Sequence, residues 1–144
     1  MIKFIPITSL SISILLTYVL KNSLKFNFDK NIGIFFTVLG AILIILGLFT
    51  LLINKTTIIP GNKPKKLVKS GIFMFIRNPI YLGDIFLIIG ISMYLKTLIG
   101  FLFAILFFFI VDKFVIPIEE KVLEISFKDE YIQYKSKVKR WGIF

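Results

Sequence analysis

The stretch Ile32–Ile53, IGIFFTVLGAILIILGLFTLLI, decides the fold class. It carries no charged side chain. At about 1.5 Å per residue a helix of this length covers roughly 30 Å, the thickness of a bilayer's hydrocarbon core. The rest of the chain agrees with it. Of 144 residues 57% are hydrophobic, and the mean hydropathy is +0.90. A soluble domain this small has too little interior to hide that much apolar surface. Lipid is the natural solvent for the excess.

Working outward, further apolar runs occupy about residues 4–20, 79–95 and 97–116. The first has Lys3 ahead of an apolar core, as a signal peptide does. It is followed by Lys21, Asn22, Ser23 and Lys25 rather than by a small-residue cleavage site, so a retained helix is expected. Lys96 alone separates the last two runs, which predicts a tight antiparallel hairpin. Both of these runs are short and call for tilting or for ends buried in protein. The expected architecture is all-α. It is an integral membrane bundle forming a single domain over residues 1–144, with transmembrane helices at about 4–20, 32–53, 79–95 and 97–116. An amphipathic cytoplasmic helix at about 117–138 completes it.

Lysine and arginine placement sets the orientation. Lys55, Lys63, Lys65, Lys66, Lys69 and Arg77 lie between the second and third runs. Lys113, Lys121, Lys128, Lys135, Lys137, Lys139 and Arg140 lie after the fourth. With Lys3, these share one side of a four-span topology, against Lys21, Lys25, Lys30 and Lys96 on the other. A multi-pass protein of the cell membrane with both termini cytoplasmic is expected. The net charge of +10 is clustered between and after apolar runs, as beside anionic headgroups, so no nucleic-acid partner is expected.

The tail reads as a helix. Pro117 suits a first turn, and Glu119 and Glu120 follow it at the positive end of the helix dipole. Leu123, Phe127, Tyr131, Tyr134 and Val138 then recur at spacings of four and three, forming one apolar-aromatic stripe with lysines on much of the other face. Trp141 is expected at headgroup level. Glycines recur every seventh residue at Gly33, Gly40 and Gly47, and again at Gly83 and Gly90, which predicts close helix packing. Asp84 is an ionisable residue inside a span, which by default suggests a site.

The chain contains no Cys and no His, which removes thiolate chemistry, the commonest general base and the usual transition-metal ligands. No metal is expected. Chemistry must come from other side chains or be carried by a cofactor.

Against this background stand LVKSGIFMFIRNPIYLG at Leu67–Gly83, the pair Glu119-Glu120, and FKDEYIQYKSKVKRW at Phe127–Trp141. Together they resemble the isoprenylcysteine carboxyl methyltransferase and phospholipid methyltransferase superfamily. Its members show LVxxGxYxxxRHPxYLG, a paired glutamate about one helix later, and FxxxYxxYxxxVxRW. The resemblance covers about the last 80 residues and keeps order and spacing.

It implies a helical membrane enzyme that binds S-adenosylmethionine without a soluble Rossmann domain, and a lipid or lipidated acceptor that enters sideways from the bilayer. The acceptor is either a prenylcysteine-like carboxylate or a lipid amine. The implied catalytic residues are Arg77 and Tyr81. The implied cofactor contacts are Arg77, Asn78, Pro79, Tyr81, Glu119, Glu120 and, on the second span, Gly40. Arg77 suits the methionyl carboxylate because a guanidinium grips a carboxylate in two places. Either glutamate suits ribose hydroxyls or the cofactor ammonium.

Asn78 replaces a common His, and the phospholipid-methylating branch often has Asn-Pro here. Lys128 and Lys139 replace a common glycine and proline, and both are compatible with a continuous helix. The competing readings are an NADPH-dependent, sterol-reductase-like enzyme and a non-enzymatic four-helix membrane protein such as a transporter.

Overall fold

A computed structural model describes residues 5–56 and 64–142, with side chains from residue 7 onward. Lys3, Phe4 and Lys63 of the sequence reading lie outside the described residues. The architecture is all-helical. Among the described residues the only β pairing is an isolated bridge between Lys25 and Thr97. The helices are α1 (Ile5–Val19), α2 (Lys30–Ile53), α3 (Pro79–Tyr94), α4 (Ile99–Ile110) and α5 (Ile116–Lys137). A short 3-10 turn, Gly71–Met74, precedes α3, and a π-helical turn, Val111–Val115, joins α4 to α5 without a loop. Among the described residues, two stretches are long and apolar enough to cross a membrane, Lys30–Ile53 and the joined Ile99–Lys137, while Ile7–Val19 and Pro79–Tyr94 are shorter apolar helices.

Local chemistry explains the boundaries. Asp29 caps α2, its side chain accepting from the Asn31 N–H at 2.8 Å. Asn78 precedes a proline and is therefore held out of the helical region, at φ −127° and ψ 58°. Pro79 then opens α3, where its missing N–H is not needed. The α3–α4 hairpin turns at Lys96, whose φ is +56°. The same end is closed by Phe26 N–H donating to the Lys96 carbonyl and Leu98 N–H to the Leu24 carbonyl, both at 3.0 Å.

The glycine heptads seat α2 directly on α3. A Cβ added to Gly40 would lie 2.6 Å from the Gly83 carbonyl oxygen, and one added to Gly83 would lie 2.7 Å from that of Gly40. The main core joins Tyr81 and Ile88 of α3 to Ala104 and Phe107 of α4, and to Val111, Val115, Ile116 and Trp141. A second cluster packs Tyr131, Tyr134 and Val138, with Leu123 and Phe127 beside them, against Leu67 of the α2–α3 connection. The stripe expected on the tail helix thus faces inward. The outer face carries exposed Ile125 and Ile132 as well as lysines.

The tail departs from expectation at Lys128 and Trp141, and its helix ends near the expected residue 138. The helix is not continuous: Lys128 has φ 45° and ψ −123°, and the chain kinks there. The kink allows the segments on either side to pack in the same cluster. Lys139 lies outside the helix, because Val138 is already extended at φ −112° and ψ 128°. Arg77 N–H donates to the Lys139 carbonyl at 3.1 Å and Asn78 N–H to the Arg140 carbonyl at 3.2 Å, which draws the tail out of helical geometry. Trp141 is buried within the protein rather than exposed on its surface. It is 5% exposed, donates its indole N–H to Asp112 Oδ1 at 3.2 Å and lies against Phe108.

Candidate functional site

The start of α1, the end of α2, the start of α3 and the junction of α4 with α5 meet at one end of the bundle. They surround a cavity of about 410 Å³. Arg77, Asn78, Pro79, Tyr81, Glu119 and Glu120 all line it. Gly40 does not: the structure puts it at the α2–α3 crossing, against Gly83 and Leu87.

Arg77 and Glu120 form the polar end. Arg77 Nη2 is 3.1 Å from Glu120 Oε1, and both side chains are largely buried. Arg77 Nη1 also donates to the Tyr131 hydroxyl at 3.5 Å, while its Nε is buried without a partner. Glu120 gathers two further cations, Arg140 at 3.0 Å and Lys135 at 3.2 Å. Burial works against its charge, yet the hydrogen bonds from Arg140 and Lys135 and the nearby Arg77 hold its carboxyl below the usual range. Arg140 in turn donates to Asp112 Oδ1 at 2.8 Å. Burial opposes the charge of Arg140, but these two carboxylates raise its pKa above the ordinary value.

Asn78 uses its side chain on the tail rather than as a helix cap, Nδ2 donating to the Arg140 carbonyl at 3.4 Å. The Tyr134 hydroxyl donates to the Phe73 carbonyl at 2.7 Å, pinning the 3-10 turn to α5.

The neighbouring glutamate faces elsewhere. Glu119 Oε1 accepts from the Tyr81 hydroxyl at 2.9 Å. Glu119 directly follows the apolar residues Phe114–Ile118, which themselves follow Asp112 and Lys113. Burial pushes its carboxyl up to about 7; the Tyr81 hydrogen bond offsets part of this, and the charge of Glu120 adds to it. Asp84, one turn beyond Tyr81 on α3, lines the same cavity and is 6% exposed. Ile7 and Leu10 of α1 and Leu48 and Leu51 of α2 make this side apolar.

The sequence reading did not assign Asp112, Tyr131, Lys135 or Arg140 to the site. Arg140 and Tyr131 stood in the tail motif, which was a usable signal. Lys135 and Asp112 had none beyond their charge. No cluster of residues able to hold a metal ion occurs among the described residues. Chemically, the cavity offers a guanidinium beside a carboxylate at one end, and a phenol between two acidic side chains at the other.

A sequence model described as phospholipid methyltransferase matches residues 16–130. The chain is 38% identical over 114 residues to the protein-S-isoprenylcysteine O-methyltransferase of Saccharomyces cerevisiae, an overlap covering 71% of this chain and 46% of the yeast protein. The chain therefore spans about half the length of that relative. It is also 36% identical over 61 residues to an uncharacterized protein of Haemophilus influenzae, covering 42% of this chain and 97% of that protein.

Proposed function

The chain belongs to the phospholipid methyltransferase family, and we propose that it transfers a methyl group from S-adenosylmethionine to a lipid-like acceptor held in the membrane. The observation that carries this reading is the convergence of two distant motifs on one cavity. The RNPIY segment and the Glu119-Glu120 pair are brought within 3.1 Å of each other through Arg77 and Glu120.

The cavity suits the proposed donor. Its volume falls among ordinary small-molecule sites, about 300–1,000 Å³. Arg77 and Glu120 present a cation beside an anion, matching the zwitterionic amino-acid end of S-adenosylmethionine. The unpartnered Arg77 Nε leaves the guanidinium with a donor still to satisfy. Arg140 and Lys135 keep Glu120 neutralised while Arg77 turns to a ligand. When bound, the donor supplies an electrophilic methyl group on a sulfonium centre, so a protein without His or Cys loses nothing essential. The chain's own work is binding, alignment and exclusion of water.

We read α1, α2, α3 and the α4 rod as transmembrane, with both termini and the cavity on the cytoplasmic side. The bias of lysine and arginine toward that end supports this orientation. The apolar side chains of α1 and α2 support lateral entry of the acceptor from lipid.

Titration of the detergent-purified protein with S-adenosylmethionine and NADPH separately tests the reading. Saturable binding of S-adenosylmethionine is expected. Binding of NADPH alone would overturn the proposal in favour of a reductase, and binding of neither would favour a non-enzymatic protein.

A further inference from the structure

Among the described residues, every ion pair lies at the cavity end of the bundle, on Lys69, Arg77, Lys113, Lys135 and Arg140. The opposite end carries cations without them. Lys21 and Lys25 lie between α1 and α2, Lys30 opens α2, and Lys96 turns the α3–α4 hairpin. Within residues 20–31 and 94–98, Asp29 is the one carboxylate. Its side chain is engaged by the Asn31 N–H at the α2 cap.

Backbone pairing brings these lysines together. The bridge between Lys25 and Thr97 lays the α1–α2 connection against the hairpin turn. The two enclose a second cleft of about 470 Å³, which Lys21, Lys25 and Lys96 line beside Asn27, Phe26 and Leu95.

Contacts position the lysines here without neutralising them. Lys21 Nζ sits 4.1 Å from the centre of the Tyr18 ring, and Lys30 Nζ 5.6 Å from that of Tyr94. An aromatic face attracts an ammonium but carries no net charge. Lys96 Nζ donates to the neutral Asn27 Oδ1 at 2.9 Å, so the polar group Asn27 still has to offer is a donor, its NH2. The Lys25 side chain has no hydrogen-bond or ion-pair partner among the described residues. Around this charge the surface is apolar: Leu20, Leu24, Phe26 and Leu98 are all exposed.

We propose that this second cleft binds the phosphate of an anionic phospholipid, whose acyl chains cover the apolar rim. The lipid is held rather than methylated, because the cleft and the Arg77–Glu120 pair lie at opposite ends of the helices. The inference uses the reading of those helices as membrane spans and is independent of methyl transfer. Lysine ammoniums act as point charges on phosphate oxygens, and basic pockets between spans hold anionic head groups in this way. Inorganic phosphate would satisfy the lysines and leave the rim bare. A zwitterionic head group would bring its own cation against the same lysines. On the proposed orientation, a bound anion also offsets lysine charge on the side of the membrane where that charge is disfavoured.

The test is calorimetric titration of the full chain in detergent. The probes are a short-chain phospholipid with a glycerol head group, the same lipid with a choline head group, and inorganic phosphate. The glycerol lipid should bind saturably, about tenfold or more tighter than the choline lipid. Lys25→Gln should weaken it about fivefold and Lys25→Gln/Lys96→Gln about thirtyfold, the scale of lysines beside anionic lipid. Lys121→Gln/Lys137→Gln removes two exposed lysines at the other end and should leave the affinity unchanged. Equal binding of the two lipids would overturn the proposal. So would an equal loss in the Lys121→Gln/Lys137→Gln variant, which would reduce the effect to overall charge. Inorganic phosphate that binds as tightly as the glycerol lipid, with the same dependence on Lys25 and Lys96, would replace the lipid by a free anion. If the lipid preference is absent from a protein that still needs detergent to leave the membrane, the head-group site falls and the spans stand.

Discussion

Arg140 Nη2 lies 3.0 Å from Glu120 Oε2, so the extended segment after α5 is tied back to that helix's first turn. The same guanidinium bridges to Asp112 in the π-helical turn. One side chain therefore joins tail, helix start and span end. Arg140→Ala should lower stability by about 1–3 kcal/mol, the range for losing charged hydrogen bonds, since Arg77 and Lys135 still neutralise Glu120. Arg140→Lys should recover only part of it, because a lysine ammonium lacks the planar, multi-donor guanidinium fork that reaches Glu120 and Asp112 together. Denaturation midpoints in detergent read this out, and a wild-type midpoint for Arg140→Ala would count against it.

Arg77→Ala and Glu120→Ala should each weaken S-adenosylmethionine binding by roughly 1–3 kcal/mol. Calorimetric titration of folded variants is the measurement. Wild-type affinity in both would mean that the donor binds elsewhere.

Gly40→Ala should destabilise the bundle by about 1–3 kcal/mol, the usual penalty of overpacking, because its new methyl meets the Gly83 backbone at 2.6 Å. Donor affinity of the protein that does fold should be near wild type. A selective loss of donor binding with unchanged stability would instead bring Gly40 into the site.

Lys128→Gly should raise stability by up to about 1 kcal/mol. A lysine at φ 45° and ψ −123° is strained by its Cβ, whereas glycine adopts this region freely. Lys128→Val should do the opposite. Thermal unfolding of the pair tests it, and equal midpoints would show that the kink carries no strain.

Glu119 gives a pH signature. Its carboxyl is raised from 4.5 to about 7, so between those values the folded state holds a proton that the unfolded chain has released. Its stabilising contribution is complete below about pH 4.5 and is lost as pH rises through 7. Glu119→Gln, which keeps an acceptor for Tyr81, should flatten this decline. Unfolding curves at pH 5 to 8 that run parallel for both proteins would refute it.

The helices were legible because hydropathy, the Asn78-Pro79 step and the turn at Lys96 act locally. The site was legible in part. Arg77, Tyr81, Glu119 and Glu120 sit in recognisable segments, and their meeting needs only a hairpin that returns the chain to its starting end. Their partners were not legible. That Glu120 collects Arg140 and Lys135 depends on how the tail leaves its helix, which backbone pairing with Arg77 and Asn78 decides. The burial of Trp141 was not legible because it depends on Asp112, which accepts its indole N–H from a distant part of the chain. Lys128 misled because residue type alone does not reveal a positive φ.

The π-helical turn at Val111–Val115 has a mechanical meaning. No loop separates α4 from α5, so the apolar rod and the carboxylates at residues 119 and 120 translate as one body. A slide of one residue along the rod is about 1.5 Å, enough to break the contacts that Glu119 and Glu120 make. On the proposed reading that α4 spans the bilayer, bilayer thickness would act on it through hydrophobic matching. On that same reading the surrounding lipid would serve as a gauge for the alignment of the site.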